Sequence, residues 1–475
     1  MKKKTSNICH LFLTLLTLLM AVQIVLGFAW MAVNLTNIPI FGDSTEYFNL
    51  SQTLMVDEYR PLLYPLLIRI ATKVANYLPL EYQSLAYIGQ TLLCILSATF
   101  LIEQLGSCLF PTVKQQKRNV FHLGTIFTGL YITCIPIITF MNFSILTDSI
   151  ATSMLLLTIG ALIRILGEHA NDWKNYLLII LSMLVEYTIR ADRLYTCTLF
   201  LVICFIVLLI KKRHTDFLRR GILLALATVI VSTGAATAIN KATQHPGLYG
   251  RIPTTFGFVL LDRVVWPNMT QNYHDFSDEI KSLVSKKDAK EFDRHNNNVM
   301  YQMAPLLREK VGEEKAETIY KEMATIVFKN QPGKVIFDIL EDIACVIFTP
   351  ISAFLSTYGL VNTADSWNLH CVSQSSQMLS TFYYHYYLYT FMFLFILSCI
   401  LGIFRFIRQR SAAKISIKTR GIFHLLAPGF LLCVIIALWF SIGDGAPPND
   451  RYAMLHYVVW TLLVLGNVFP CQEDS

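Results

Sequence analysis

The sequence predicts an all-α, polytopic membrane helical bundle of about ten spans, with interfacial helices and a mainly helical extracytoplasmic region. Three observations lead to this fold class. Hydrophobic residues fill 54% of the 475 positions and charged residues fill 15%, against about 25% charged residues in soluble globular proteins. The mean hydropathy is +0.49. The apolar residues also form long runs, which favours a multi-pass protein of the cell membrane.

Basic residues account for the net charge of +7 and predict the orientation of the chain. They cluster between apolar runs, and on the predicted span count the strongest clusters fall on one side of the membrane. The positive-inside rule makes that side cytoplasmic. We therefore expect both termini in the cytoplasm, the first loop outside, and no nucleic-acid partner. The strongest clusters are 2–4, 114–118, 211–220 and 405–420.

The first apolar runs predict a span, an interfacial helix and further spans. The run from about 11 to 33 is longer than the apolar core of a signal peptide, which is roughly 7–15 residues, so we expect an uncleaved span. Residues 61–77 are too charged to span, and their helical apolar spacing predicts a helix in the interface plane. Further spans are predicted at about 82–100 and 121–140, after Asp148, on either side of residues 190–193, and at about 222–238.

The longest stretch without a clear span divides the chain into three parts. We expect an N-terminal transmembrane core at 1–240, an extracytoplasmic helical region at 241–382 and C-terminal transmembrane helices at 383–475. In the middle region the run 334–354 is apolar, yet it carries three acids on one helical face, which are Asp338, Glu341 and Asp342. Three acids at mid-membrane would cost several kcal/mol, so we expect an amphipathic or partly buried helix. The last spans are predicted at about 383–404, 422–442 and 452–469.

The predicted external loops place acids beside arginines, close to span ends. The loop after the first span holds Asp43, Glu46 and Arg60. Arginine binds phosphate through a planar fork, and a carboxylate near a bound hydroxyl can accept its proton. The same segment from Asp43 to Glu46 also fits a capping box, and the two roles can coexist. Two carboxylates without histidine are a weak metal site, and the eleven cysteines form no Cys-x-x-Cys pair.

Each of the other external charges has both a structural and a functional interpretation. Asp148 enters the fourth span, where helix capping is an equal alternative. Arg190 and Arg193 fit ordinary snorkelling at a span end, although positive charge outside runs against the usual bias and favours function. The same argument applies to Arg451, just before the last span. We expect Asp43, Arg60 and Arg451 to line one external cavity, with Asp148 and Arg193 near its wall.

Three short motifs carry a family resemblance through their order and placement. They are Gly42-Asp-Ser-Thr-Glu-Tyr47 with Tyr59-Arg-Pro-Leu-Leu-Tyr-Pro65, then Leu146-Thr-Asp-Ser149, then Asp450-Arg-Tyr452. This layout resembles the GT-C superfamily of integral membrane glycosyltransferases. Within it, the chain is similar to the polyprenyl- or dolichyl-phosphate-mannose protein mannosyltransferases and the lipid A aminoarabinose transferases. The mannosyltransferases often carry adjacent acids in the first loop, whereas Asp43 and Glu46 are three positions apart.

The resemblance implies a hexosyl- or pentosyltransferase that uses a polyprenyl-phosphate sugar and inverts the anomeric centre. The acceptor is a lipid, a glycan or a protein on the extracytoplasmic side. We expect no cofactor, with a divalent cation as the alternative. A lipid-linked glycan polymerase or ligase stays open, as does a transporter or flippase, which should show broken helices with polar residues near mid-membrane. The resemblance implies Asp43 as the catalytic base and Arg60 and Arg451 as ligands of the donor phosphate. From the residues themselves we add Glu46 as a second catalytic acid and Arg190 and Arg193 as phosphate ligands. The supporting residues are Tyr59, Asp148, Asp450 and Tyr452.

Overall fold

In the computed structural model, all regular secondary structure of the described residues is helical, which confirms the predicted all-α class. The described residues form α-helices joined by short 3-10 and π-helical turns, and no β-strand occurs among them. The description covers all residues except 1, 37–41, 57–59, 166–171, 191–197, 201, 204–205, 207–215, 244–255, 292–302, 362–373, 411–425, 439–449 and 469–475.

The helices follow one another with short connections. In chain order they are α1 (Lys2–Asn34), α2 (Gly42–Thr53), α3 (Leu63–Ala75), α4 (Tyr82–Leu109), α5 (Pro111–Gln116), α6 (Arg118–Thr133), α7 (Pro136–Asn142), α8 (Asp148–Arg164), α9 (Trp173–Ile189), α10 (Asp216–Thr243), α11 (Phe256–Leu260), α12 (Met269–Asn272), α13 (Asp278–Leu283), α14 (Lys286–Glu291), α15 (Ala304–Val311), α16 (Glu313–Asn330), α17 (Pro332–Ile347), α18 (Thr349–Ser356), α19 (Gln374–Arg410), α20 (Leu426–Leu438) and α21 (Met454–Val468). A π-helical turn spans Leu261–Val265, and a 3-10 turn spans Asp450–Ala453.

Within the described residues, three helices are long and apolar enough to cross a membrane, fewer than the ten spans that the sequence predicts. They are Phe12–Asn34, Tyr82–Leu109 and Ser376–Phe404, and α6 with α7 gives a fourth if this bent pair counts as one span. The count differs partly because α8 and α9 have 17 residues each and α21 has 15, whereas a span needs about 20. Parts of other predicted spans, in 199–209 and 422–442, lie outside the described residues.

The chain divides into two compact units. The first unit comprises Met1–Pro246, Trp367–Leu432 and Met454–Ser475. In it, α4 packs against α6 and α8, and α9 packs against both α8 and α10. Helices α1 and α19 are joined by a hydrogen bond from the Trp30 indole to Ser380 Oγ at 2.7 Å. The interior of this unit is therefore built from buried apolar faces with a few buried polar contacts.

The predicted third span is not continuous, because it breaks before Pro136. The axes of α6 and α7 differ by 77°. Proline lacks the N–H that an unbroken helix would use, and it disfavours helical backbone in the residue before it. The backbone carbonyl of Cys134 lies at the break. It accepts hydrogen bonds from Gln23 Nε2 at 2.7 Å and from the Tyr383 hydroxyl at 2.6 Å. Side chains from α1 and α19 thus satisfy the broken backbone.

The second unit comprises Gly247–Ser366 and Cys433–Ala453. Its core includes Leu261, Trp266, Leu307 and Met323, all fully or almost fully buried. The expected amphipathic helix in 334–354 is confirmed, but it is divided into α17 and α18. Asp338 and Asp342 of α17 are buried, and its exposed face is apolar.

Close packing of α6 on α4 depends on Gly129. A Cβ atom at this position would lie 2.3 Å from Thr99 Oγ1 and 3.0 Å from Thr99 Cα. We expect Gly129→Ala to destabilise the protein by about 1–3 kcal/mol, because backbone cannot yield as a side-chain end can. The thermal unfolding midpoint of purified protein in detergent measures this. Gly124→Ala on the same helix is the control, since nothing lies within 4 Å of its Cβ position, and equal midpoints would contradict the packing argument.

Candidate active site

Arg60 and two acids of α2 form an ion-pair cluster, to which we refer as the Arg60 cluster. Asp43 and Glu46 lie one helical turn apart, so their side chains share a face. Arg60 Nη2 donates to Asp43 Oδ1 at 2.9 Å, and Arg60 Nη1 is paired with Glu46. The arginine side chain is 5% exposed, whereas those of Asp43 and Glu46 are 40% and 48% exposed. The cluster therefore presents two accessible carboxylates above one buried guanidinium.

Aromatic residues hold Arg60 beneath the two carboxylates. The guanidinium carbon lies 5.2 Å from the ring centroid of Tyr47, within cation–π distance. Tyr47 packs edge-on against Tyr64 of α3, with ring centroids 5.0 Å apart. The Tyr64 hydroxyl then donates to Gln90 Oε1 of α4 at 3.0 Å. These contacts anchor the cluster to the buried side of α4, so the arginine is positioned before any ligand arrives.

The segment that connects α2 to Arg60 begins with an uncommon backbone conformation. Leu54 follows α2 with a φ of 57°, in the left-handed region that a residue with a branched side chain rarely adopts. Its N–H bonds to the carbonyl of Leu50 at 2.7 Å, which terminates the helix. Val56 is then fully buried. Such strain persists where the surrounding contacts determine the conformation, and here it lies between the acids and the arginine of one cluster.

A second ion pair joins the helices α8 and α9. Asp148, in the first turn of α8, is paired with Arg190, which follows the last residue of α9. The two side chains are only 1% and 10% exposed. Glu186, one turn earlier on α9, is fully buried, and its carbonyl accepts the backbone N–H of Arg190. Asp148 thus makes a buried ion pair, whatever it adds as a helix cap.

A buried polar path leads from the Arg60 cluster towards this second pair. Gln90 Nε2 donates to the carbonyls of Asn142 and Ser144, at 2.8 and 3.0 Å. The Asn142 side-chain oxygen accepts a hydrogen bond from Ser149, the residue after Asp148. Gln90, Asn142 and Ser149 are all buried. The first unit therefore connects Tyr64, the end of the broken span and the start of α8 through two amide side chains, those of Gln90 and Asn142.

The structure describes only part of the predicted site. It brings Asp43, Glu46 and Arg60 together, and it pairs Asp148 with Arg190. Tyr59 and Arg193 lie outside the described residues. Asp450 and Arg451 belong to the 3-10 turn in the second unit, with Tyr452 half-buried beside them. The convergence of Arg451 on the same cavity therefore stays a prediction.

Sequence reasoning missed Gln90, Asn142 and Glu186. A signal existed for Glu186, because it is an acid within an otherwise apolar helix, and such residues are functional candidates by default. Gln90 is likewise a lone amide within an apolar run. For a metal, the described residues contain no group of three or more His, Cys, Asp or Glu side chains that could hold an ion. Asp43 and Glu46 are thus a pair without a third such ligand in the described part of the chain.

Comparisons with known proteins give no match. No protein-family model, no curated protein and no solved structure is significantly similar to this chain.

Loss of the Gln90 amide should destabilise the first unit. Gln90→Leu removes three hydrogen bonds and leaves the Tyr64 hydroxyl and two backbone carbonyls without this partner. A buried polar group left unsatisfied costs on the order of 1–3 kcal/mol. Thermal unfolding in detergent should show a clearly lower midpoint.

The matched control is Gln104→Leu, another buried glutamine of α4. If Gln90→Leu and Gln104→Leu change the midpoint equally, Gln90 is an ordinary helix residue and the polar path has no special weight.

Proposed function

We propose that this chain is a membrane glycosyltransferase that moves a sugar from a polyprenyl phosphate to an extracytoplasmic acceptor, with inversion. The observation that carries the proposal is the Arg60 cluster, where a buried guanidinium lies beneath two half-exposed carboxylates. The cluster begins shortly after the candidate span Phe12–Asn34. A lipid-linked donor needs its phosphate and sugar at such a boundary, with its chain in lipid, and this placement supports a donor site.

The proposed reaction is a single displacement at the anomeric carbon. The acceptor hydroxyl oxygen attacks this carbon as its proton passes to the carboxylate of Asp43. The bond between the anomeric carbon and the phosphate oxygen breaks, and polyprenyl phosphate leaves with the bonding electrons. Arginine stabilises the charge that develops on the leaving phosphate, which is the largest electrostatic requirement of the step.

The ion pairs suggest how the donor prepares the base. Both terminal nitrogens of Arg60 contact carboxylates of α2. A phosphate dianion or ester competes for the same planar fork. When the donor phosphate takes one arm of the guanidinium, it releases a carboxylate to accept a proton. We therefore assign Arg60 to the phosphate and Asp43 to the base, with Glu46 retaining the second arm.

Among the remaining predicted phosphate ligands, Arg190 is the one whose side chain the structure describes. Its partner Asp148 is only 1% exposed, whereas the carboxylates that pair with Arg60 are 40% and 48% exposed, so we assign Arg190 a supporting role in holding α8 to α9. Arg451 keeps its proposed role as a donor ligand because of the family resemblance, and Arg193 keeps its role because positive charge outside runs against the usual bias. A lipid-linked glycan polymerase or ligase would use the same cluster with a different acceptor.

A transporter or flippase is the second candidate, and one specific feature favours it. The pair α6 and α7 is bent by 77°, and polar side chains surround the break, as in the discontinuous helices of transporters. Thr139 contacts the Tyr383 hydroxyl at 2.9 Å beside the Cys134 carbonyl. This arrangement lies at the break itself and is separate from the accessible acids on α2.

Asp43→Asn should nearly abolish turnover while leaving the protein folded. Asparagine keeps the shape of the side chain and an oxygen for Arg60, but it cannot accept the proton. Loss of a positioned general base typically costs about 10²–10⁴-fold in rate. The measurement is sugar release from a panel of radiolabelled polyprenyl-phosphate sugars, with purified protein in lipid and an acceptor extract.

Two variants provide controls for this assay. Glu46→Gln removes the other carboxylate of the cluster and should reduce turnover less, and Glu81→Gln removes an exposed acid at the start of α4 and should be neutral. Near-normal turnover of Asp43→Asn would contradict the assignment and would mean that Glu46 or another acid is the base. Movement of labelled lipid across the bilayer without sugar release by wild type would favour the transporter instead.

A further inference from the structure

Helix α17 carries a stripe of exposed apolar side chains, to which we refer as the α17 stripe. Phe337 is 65% exposed, Leu340 57%, Ile336 49% and Phe348, just after the helix, 42%. At 100° per residue these positions fall within one arc of the helix. Ala344 is exposed in the same arc, and Ile347 is half-buried. The described side chains within this arc include no charged residue.

The opposite face of α17 is buried, and it carries two acids, Asp338 and Asp342, beside Val335, Cys345 and Val346. Asp342 accepts from Arg263 Nη1 at 3.2 Å, and Arg263 also lies 3.8 Å from Asp262. Asp338 lies 3.8 Å from Lys334 Nζ. The side chains of Arg263 and Asp342 are 3% and 7% exposed. A helix on the surface of a water-soluble protein buries its apolar face and exposes its charges, so α17 is inverted.

An inverted helix is expected where the surrounding medium is apolar. The α17 stripe would cost free energy in water, at about 25 cal/mol for each Å² of apolar surface. The costly burial of Asp338 and Asp342 is offset by ion pairs with Lys334 and Arg263. The candidate span Ser376–Phe404 follows Ser366, where the main part of this unit ends. The chain itself therefore keeps the unit close to a bilayer.

We propose that α17 lies in the membrane interface, with the α17 stripe inserted among lipid acyl chains. The edge of the stripe fits this position, because the charged residues Lys334 and Glu341 border it, at the level where lipid head groups would lie. After α18, Tyr358 and Leu360 are also exposed, at 54% and 71%. Tyrosine is enriched at the level of lipid head groups. The proposal stands whether or not the chain transfers sugars.

The area of the stripe argues against a second copy as its occupant. An aromatic side chain buries roughly 150–250 Å² when covered completely. With the same area granted to the smaller Ile336 and Leu340, the four half-exposed side chains offer about 400 Å². A stable protein interface buries about 800 Å² on each partner. A lipid surface has no such requirement, because insertion adds to the membrane attachment that the spans already supply.

Site-specific photo-crosslinking of the full chain in lipid nanodiscs tests the proposal. The photoreactive residue p-benzoylphenylalanine replaces Phe337 in one variant and Leu340 in another. Leu96, 67% exposed on the candidate span α4, is the lipid-facing control. Thr318, exposed on α16 with its hydroxyl bonded to its own helix, is the water-facing control. After irradiation, intact-protein mass spectrometry measures the yield of covalent lipid adducts.

We expect lipid adducts at 337 and 340 with yields close to that at 96 and well above that at 318. Crosslinked dimers at 337 and 340 in place of lipid adducts would identify a second copy as the occupant and overturn the proposal. Adduct yields equal to the yield at 318, or crosslinks only within the chain, would also overturn it. Because the replaced side chains are exposed, the variants are expected to fold as wild type, and their elution in size-exclusion chromatography checks this.

Discussion

The arrangement of the first unit depends on the three hydrogen bonds of the Gln90 side chain. This side chain joins α3, the end of the broken span and the buried interior of α4 through three hydrogen bonds. An apolar interior offers no water to replace such bonds, so each group must find a protein partner or cost several kcal/mol. The same constraint explains the break before Pro136, whose freed carbonyl is satisfied by side chains from two other helices.

Local sequence features predicted most helices but not their ends or partners. Apolar runs predicted α1, α4 and α19, because a single long hydrophobic run in lipid satisfies its backbone hydrogen bonds as a helix. The run 121–140 looked continuous, although Pro136 was visible within it, because hydropathy is insensitive to a single missing N–H. For α17 the shared face of the acids was predictable. Their inward direction was not, because it depends on Arg263, 79 positions from Asp342.

The Arg60 cluster was the most predictable part of the site, since its members lie close in sequence. Asp43 and Arg60 are 17 positions apart, and the carboxylates share a helical face. The pairing of Asp148 with Arg190 spans 42 positions and required the packing of α8 on α9. The bridge from Gln90 to Asn142 spans 52 positions. A lone amide in an apolar run indicates that a partner exists, but only tertiary structure identifies it.

Accessibility distinguishes the Arg60 cluster from the Asp148–Arg190 pair, and the roles that we propose for them follow from this difference. A catalytic acid must reach its substrate, and the side chains of Asp43 and Glu46 are 40% and 48% exposed. Asp148 is 1% exposed and Glu186 is fully buried. A buried pair adds little net stability over an apolar one, yet losing one partner is costly, so its geometry is strongly constrained. Asp148 and Arg190 therefore suit a fixed joint between helices, whereas the Arg60 cluster combines a held cation with accessible bases. Chemistry on an incoming ligand needs that combination.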